Sequence, residues 1–422
     1  MSMHRLVLTK SVDDNSSLAA WPGEQDCSSK QDFLRVLPNQ APRILTVINS
    51  FDPGGVERVA LRLNAAWRRM GIAARVVAGR ASGSAATRPD TIDQSAEIRI
   101  LPEESGPGLR SPLLRMLRAL PGIIREERPD LIFCPGNTYT LVAVALKLVL
   151  GRQCPPIIAK ISNDLHRRDM TPVLRFFYHR WLWLQGRWID RFVAIAPAMA
   201  TEIQQLMQVP ANRISVINNP VLSNDELHGY AKLARIPALN GRRFIAIGRL
   251  VPQKNFILLV DAFAKIARPD DRLTILGEGP ERAAIEQRAA HLGIADRLVM
   301  PGHVADVRNR LANADVFCMS SNFEGIPAGL IEAMAAGLAI VATDCSAGMA
   351  DLTGHGRFGT LVPVGDVTAL AGAMDGVGPG QSQYAEAFDH LRSYTLEAGA
   401  RAYIALGLEL TEREPVRRLA LA

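Results

Sequence analysis

Short, apolar, β-branched runs alternate with helix-length amphipathic stretches along most of this chain, and the alternation runs twice. The first pass opens on RILTVI at 43–48, continues through a helical pattern over 56–70 to ARVV, LIFC, PIIAKI and RFVAIA, and closes on RISVIN. The second contains RFIAIG, RLTIL, RLVM, DVFCM and AIVAT, with helices expected from about Phe256, from Pro280, near Val307 and from about Ala328. A strand that is apolar at nearly every position is buried on both faces, the condition of a parallel sheet sandwiched between helices. The expected fold is therefore α/β, with two Rossmann-like domains facing across a cleft. Ligands of such sheets bind beyond the carboxyl ends of the strands.

The domain plan follows from where the pattern starts and stops. Residues 1–40 are polar and aperiodic and read as a flexible N-terminal tail. Residues 41–222 form an N-terminal domain, 223–380 a second domain and 381–422 terminal helices. The stretch 219–241, with Pro220, Asn224, Asp225, Pro237, Asn240 and Gly241, reads as a linker. No apolar run approaches the roughly 18 residues of a spanning helix. The apolar run Leu6, Val7, Leu8 is too brief for a secretory signal. Five scattered cysteines (Cys27, Cys134, Cys154, Cys318, Cys345) lack metal-ligand spacing and point to a reduced, cytoplasmic setting without a zinc site.

Three clusters of residues carry chemistry. Gly54 and Gly55 sit where the first strand gives way to a helix. Glycines let backbone approach a ligand and the helix N–H groups favour an anion, although a Gly pair alone also fits a plain turn. Arg249 and Lys254 flank the corresponding turn of the second domain, where a guanidinium fork and an ammonium could reach one diphosphate; taken singly, they are equally ordinary surface charges. The sharpest feature is FEGIPAGLIEAMAAG at 323–337. Glu324 lies on the loop after DVFCM, and Glu332 lies eight residues later inside a helix whose first turn suits Pro327.

Together these pieces resemble the glycosyltransferases of family 4, whose two-domain fold is called GT-B. The resemblance covers about residues 43–375. It rests on Gly54 and Gly55 with Glu57, on Gly248 and Arg249 with Lys254, on Gly277-Glu278-Gly279, on the Glu324 and Glu332 pair, and on GTLVP at 359–363. It implies that Arg249 and Lys254 neutralise a donor diphosphate, that Glu324 contacts the transferred sugar and that Glu332 hydrogen-bonds the ribose hydroxyls. Gly54 and Gly55 would close over the phosphates from the other domain. Gly277 would lie on the donor side. Ile326, Pro327, Ala328 and Gly329 would offer backbone N–H groups to sugar and phosphate, and His303 with Val304 would hold the base. The family is retaining and needs no metal or other cofactor, so the resemblance implies front-face attack with the departing phosphate helping to deprotonate the acceptor. Many members carry a histidine after the fifth strand. Here Asn163 takes that slot and His166 follows, so either could serve. Asn137 points to the acceptor.

The first domain, which carries the acceptor in such enzymes, holds the positive charge. Of a net +6, residues 1–225 contain 28 basic against 20 acidic side chains. Residues 110–128 place Leu113, Leu117, Leu120 and Ile124 on one helical face among arginines. Residues 167–191 interleave six arginines with Phe176, Phe177, Tyr178, Trp181, Trp183 and Trp188. Aromatic and basic side chains together suit a membrane interface, although both segments could simply cover the sheet. TDCSAG at 343–348 is partly similar to a stretch of family 4 enzymes that extend surface polysaccharides or lipid-linked oligosaccharides. The expectation is a retaining transfer of a hexose from a UDP- or GDP-sugar to a lipid-linked or surface-polysaccharide glycan, at the inner face of the cytoplasmic membrane. A soluble acceptor such as a sugar phosphate, or a non-catalytic nucleotide-sugar-binding scaffold, are the alternatives. No nucleic-acid-reading motif accompanies the basic residues, so a nucleic-acid partner is not expected.

Overall fold

The computed structural model describes residues 41–49, 55–80, 97–102, 112–163, 165–166, 170–233, 240–377 and 384–419. The expected tail over 1–40 and the candidate Gly54 lie outside these residues. Residues 42–422 form one compact unit.

Among the described residues the strands build two parallel sheets. The first joins β1 (Ile44–Ile48), β2 (Ala74–Ala78), β3 (Glu97–Ile100), β4 (Leu131–Cys134), β5 (Ile157–Ile161), β6 (Arg191–Ala194) and β7 (Ile214–Val216) in the order β3-β2-β1-β4-β5-β6-β7. The second joins β8 (Arg243–Ile247), β9 (Arg272–Leu276), β10 (Leu298–Gly302), β11 (Val316–Met319), β12 (Ala339–Thr343) and β13 (Thr360–Val362) in the order β10-β9-β8-β11-β12-β13. The central strands β1, β4, β5 and β12 are buried at every position, as their uninterrupted apolar runs require. The two sheets share one permutation. Strand order reverses between β1 and β4 in the first and between β8 and β11 in the second. Those reversals open the crevices in which ligands of doubly wound sheets sit.

Three elements depart from the sequence reading. The stretch 219–241 is not a bare linker, because helix Asn224–Ala231 forms inside it. A capping box starts that helix, Ser223 accepting from the Glu226 amide while Glu226 accepts from the Ser223 amide, and Leu227 and Tyr230 are buried three residues apart. The strands β3 and β13 are edge strands of four and three residues, too short and too exposed to show an apolar run.

The chain also returns to its first half. Helix Leu396–Leu419 leaves the second sheet and packs on helix Gly55–Arg69 and the first sheet. The Trp67 indole N–H donates to the Ala400 carbonyl at 3.2 Å, and the rings of Trp67, Phe133 and Tyr403 pack edge to face at 5.5, 6.1 and 4.9 Å. Arg191 of β6 pairs with Glu409 at 2.8 Å. Outward and returning crossovers lie side by side, since the Val221 amide donates to the Tyr394 carbonyl and the Leu396 amide to Leu222. Two parallel crossovers and one covering helix thus join the domains, and one buried apolar cluster runs through both.

Candidate functional site

Gly55, Asn137, Arg249, Lys254, Glu324 and the segment 326–332 follow strands at the two order reversals, whereas Asn163 and His166 follow β5, Gly277 follows β9, and His303 and Val304 follow β10. In the second domain β8 ends at Ile247 and the chain turns through Gly248 and Arg249 to Asn255. Asn255 adopts a left-handed conformation (φ 47°) and caps helix Phe256–Ile266 by accepting from the Leu258 amide. The neighbouring loop after β11 is laced to this turn. The Asn322 amide donates to the Gln253 carbonyl at 2.8 Å, Gln253 Nε2 to the Phe323 carbonyl at 2.9 Å and Ser320 Oγ to the Lys254 carbonyl at 2.9 Å. The result brings Lys254 and Glu324 into a direct ion pair, with Ser321 Oγ donating to the same Glu324 oxygen at 2.9 Å. Arg249 is exposed and, among the described residues, has no ion-pair partner. A cation without a counter-ion thus stands beside a lysine whose charge is held by a glutamate.

Glu332 lies in the second turn of helix Ala328–Ala335 and is 7% exposed. That helix starts at Pro327 without a side-chain cap, so its first amides, of Ala328 and Gly329, face the loop unclaimed by the helix. Burial raises the Glu332 pKa above the usual carboxylate range, and the Arg58 guanidinium, 3.7 Å away on the first domain, works against that rise. Ile326 and Pro327 are buried, and a side chain at Gly348 would meet Ile326 at 2.5 Å and Ala196 of the first domain at 3.1 Å.

The Glu324 loop meets the first domain at Gly325. A Cβ there would stand 2.0 Å from the Ser162 carbonyl oxygen, so only glycine allows this approach. Asn163 is the residue that follows this contact in the chain. Asn163 and His166 are both exposed, and Leu165 between them is pinned by its amide donating to Glu202 at 3.0 Å. Asn137 spends its side-chain carbonyl on the fold, accepting from the Ser162 amide at 2.8 Å. Gly136 lies against Val56, where a Cβ would sit 2.7 Å from Val56 Cγ1. The turns that carry Gly55, Asn137 and Asn163 are thereby neighbours, through the contacts of Gly136 with Val56 and Ser162.

Gly277 has a different burden. Its φ is 151°, a Cβ would fall 1.8 Å from the Gly248 carbonyl, and its amide already donates to the Gly302 carbonyl at 2.9 Å. It therefore seats the Gly248–Arg249 turn against β9 and has no free N–H to offer. His303 is exposed and Val304 half-buried, both directly after β10.

Several residues of the site escaped the sequence reading. Tyr139 donates its hydroxyl to Glu57 at 2.6 Å and receives the Asn49 amide at 3.2 Å, tying the end of β1 to the helix that follows Gly55. Lys160, inside β5, is only 1% exposed, and its ammonium donates to Asn219 at 2.7 Å. Burial pushes its pKa down to about 7, opposed by the Glu57 carboxylate. A lone lysine in PIIAKI was the available signal. Arg58 had none, being one arginine among many.

On the acceptor side, helix Pro112–Glu127 turns Met116, Leu120, Ile123 and Ile124 into the core, so its apolar face covers the sheet and is not available to a membrane. Helix Pro172–Trp188 behaves differently: Val173, Leu174, Phe176 and Phe177 are exposed, and Leu148 and Val149 are exposed on the adjoining helix Thr140–Leu150.

Residues 53–222 match the sequence profile described as Glycosyltransferase Family 4, and residues 241–377 the one described as Glycosyl transferases group 1. Over 197 residues the chain is 31% identical to an exopolysaccharide phosphotransferase of Streptomyces coelicolor, covering 46% of this chain and 20% of that protein. Over 133 residues it is 32% identical to an N-acetylgalactosamine-N,N'-diacetylbacillosaminyl-diphospho-undecaprenol 4-alpha-N-acetylgalactosaminyltransferase of Campylobacter jejuni, covering 32% and 36%. The chain thus spans about a third or less of the length of these two relatives. The crystal structure of Anabaena HepE in complex with UDP superposes with a TM-score of 0.62 at 20% identity, covering 90% of this chain and 100% of that one, and shows the same two-domain fold.

Proposed function

The chain belongs to the glycosyltransferases that join a family 4 domain to a group 1 domain, and from that premise we propose that it transfers a hexose from a UDP- or GDP-sugar to a lipid-linked or surface-polysaccharide glycan with retention of configuration. The observation that carries the reading is the Lys254–Glu324 ion pair at the strand-order reversal of the second sheet, with Arg249 unpaired on the same turn, together with the approach of the Glu324 loop at Gly325 to the Ser162 carbonyl after β5. A diphosphate arriving beside Arg249 gives Lys254 an alternative anion and releases Glu324 toward the sugar. Both cations then stabilise the charge that develops on the departing phosphate. No metal is required in this scheme, and Asn163 or His166 faces the sugar from the first domain. Anabaena HepE has been crystallised with UDP and with UDP-glucose, which supports a uridine nucleotide as the first donor to try.

The acceptor side supports a lipid-linked glycan. Phe176 and Phe177 are 62% and 64% exposed on a helix that also exposes Arg175, Arg180 and Arg187. No helix among the described residues is long and apolar enough to cross a membrane. An amphipathic helix of this kind lies in the headgroup plane of an anionic leaflet, so the protein acts as a peripheral enzyme there. The Campylobacter relative is named for a diphospho-undecaprenol acceptor. Thermal melting against UDP, GDP, ADP and their hexose conjugates tests the donor half. A ligand at about 100 times its Kd adds about 2.7 kcal/mol, and a shift with one base is the expected result. No shift with any nucleotide would contradict the donor assignment.

A further inference from the structure

Building on the proposed nucleotide-sugar donor, with Glu332 taking the ribose hydroxyls as the family resemblance implies, we propose that Arg58 is a positioning residue for the donor: reaching across from the first domain, it holds Glu332 as a carboxylate, so that the ribose-binding group is competent only when the two domains are together.

Glu332 is nearly fully buried, and among the described residues its oxygens accept no hydrogen bond. A buried carboxyl left to itself takes up a proton. Once protonated it loses acceptor capacity, whereas an ionised one can receive two ribose hydroxyls at once. The charged and titratable groups around it come from two elements. From helix Gly55–Arg69 come Arg58 and, one turn later, Arg62. From helix Asn224–Ala231 come Glu226 and Tyr230. Arg62 is committed elsewhere, paired with Glu226 and donating to the Val221 carbonyl. Glu226 opposes ionisation of Glu332, and Tyr230 is neutral, its phenol pushed up by burial. Arg62 adds a weaker pull on Glu332, and among the described residues Arg58 is the cation within ion-pair distance of it. At 3.7 Å the pair attracts without a hydrogen bond, which leaves the carboxylate oxygens open to a ligand. Arg58 follows Gly55 by three residues, so the helix that would lower the glycine backbone over the phosphates also carries the charge that readies Glu332. Closure and ribose capture become one event.

The test has two arms. In the ligand-free protein, the Glu332 carboxyl is titrated by carbon-13 NMR. Arg58→Ala should raise the midpoint by about 1–3 pH units, the range for losing a cation within 4–6 Å, and Arg58→Lys should restore most of the shift. A midpoint unmoved by Arg58→Ala overturns the proposal, whatever the protein binds. In the second arm, UDP and GDP affinities are measured by calorimetry from pH 5.5 to 8.5. Arg58→Ala should cost about tenfold at the acid end and much less at the alkaline end, where Glu332 ionises unaided. The difference should vanish for 2′,3′-dideoxy nucleotides and on a Glu332→Gln background. An equal loss at every pH, retained with dideoxy nucleotides, would overturn the proposal by making Arg58 a phosphate contact. A titration that shifts as expected in a protein that binds no nucleotide would refute the donor reading, and the ribose role with it, while leaving the charge coupling measured.

Discussion

Replacing Phe176 and Phe177 together by serine removes the two most exposed aromatic side chains of helix Pro172–Trp188. Full burial of a phenylalanine contributes about 1.5–3 kcal/mol. With 62% and 64% of each residue exposed in the folded protein, the share available to a membrane is about 1–2 kcal/mol apiece. Loss of both should cost about 2–4 kcal/mol of binding, or roughly 30-fold or more in partition at about 1.4 kcal/mol per factor of ten. The assay is co-sedimentation with vesicles of anionic and of neutral lipid at moderate salt. The double variant should retain the residual binding contributed by Arg175, Arg180 and Arg187, at about 1 kcal/mol per cation, and that residue should disappear as salt rises. Its melting temperature should hardly move, because exposed side chains away from special contacts contribute within about 0.5 kcal/mol. Partition unchanged within twofold, or strong binding of the unmodified protein to neutral vesicles alone, would refute the reasoning.

Other perturbations address the donor side and the core. Arg249→Ala should weaken binding of a nucleoside diphosphate about 10- to 100-fold, the loss of a charge-assisted hydrogen bond worth about 1.5–3 kcal/mol; unchanged affinity by calorimetry would remove Arg249 from the diphosphate site. Glu324→Gln should lower turnover by about 10²–10³ with folding intact, and a loss under threefold would end its role at the sugar. Lys160→Met should stabilise the fold most in acid. The folded pKa of Lys160 is depressed to about 7, so the unfolded chain binds the extra proton between that value and the ordinary lysine range near 10.4, and the native lysine is costliest at and below pH 7. The gain from methionine, followed by thermal melting, should therefore shrink as pH rises from 7 toward 10. A gain that grows with pH would contradict the assignment.

Most of the architecture could be read from the sequence because burial on both faces writes itself directly into a strand. LIFC is apolar throughout, and PIIAKI and AIVAT are interrupted by a single polar residue each, Lys160 and Thr343. The edges gave no such signal: EIRI of β3 and TLV of β13 pair on one side only and need little apolar surface. The capping residues Ser223 and Glu226 of helix Asn224–Ala231 were legible, but Asn224, Asp225 and Gly229 in and around it weighed toward a linker. At the site, motif residues such as Glu324 and Lys254 stood out because each follows a strand. That the two would neutralise each other is a matter of two loops converging in space, which spacing along a chain does not encode. Arg58 and Lys160 act through partners in distant segments, Glu332 and Asn219; the lone lysine in an apolar strand was a visible signal, but nothing in the sequence marks Arg58 or either partner. The Gly277 role also depended on geometry, since its amide and its missing side chain are both spent on neighbouring backbone.

The central claim is best tested by incubating the protein with UDP- and GDP-hexoses and a glycan carried on a lipid diphosphate, and reading the new glycosidic linkage by proton NMR. An α-linked donor should give an α-linked product, formed without added divalent metal and reduced about 10²-fold or more in Glu324→Gln. A β-linked product would contradict retention, and the absence of transfer from any of these donors would contradict the proposed reaction.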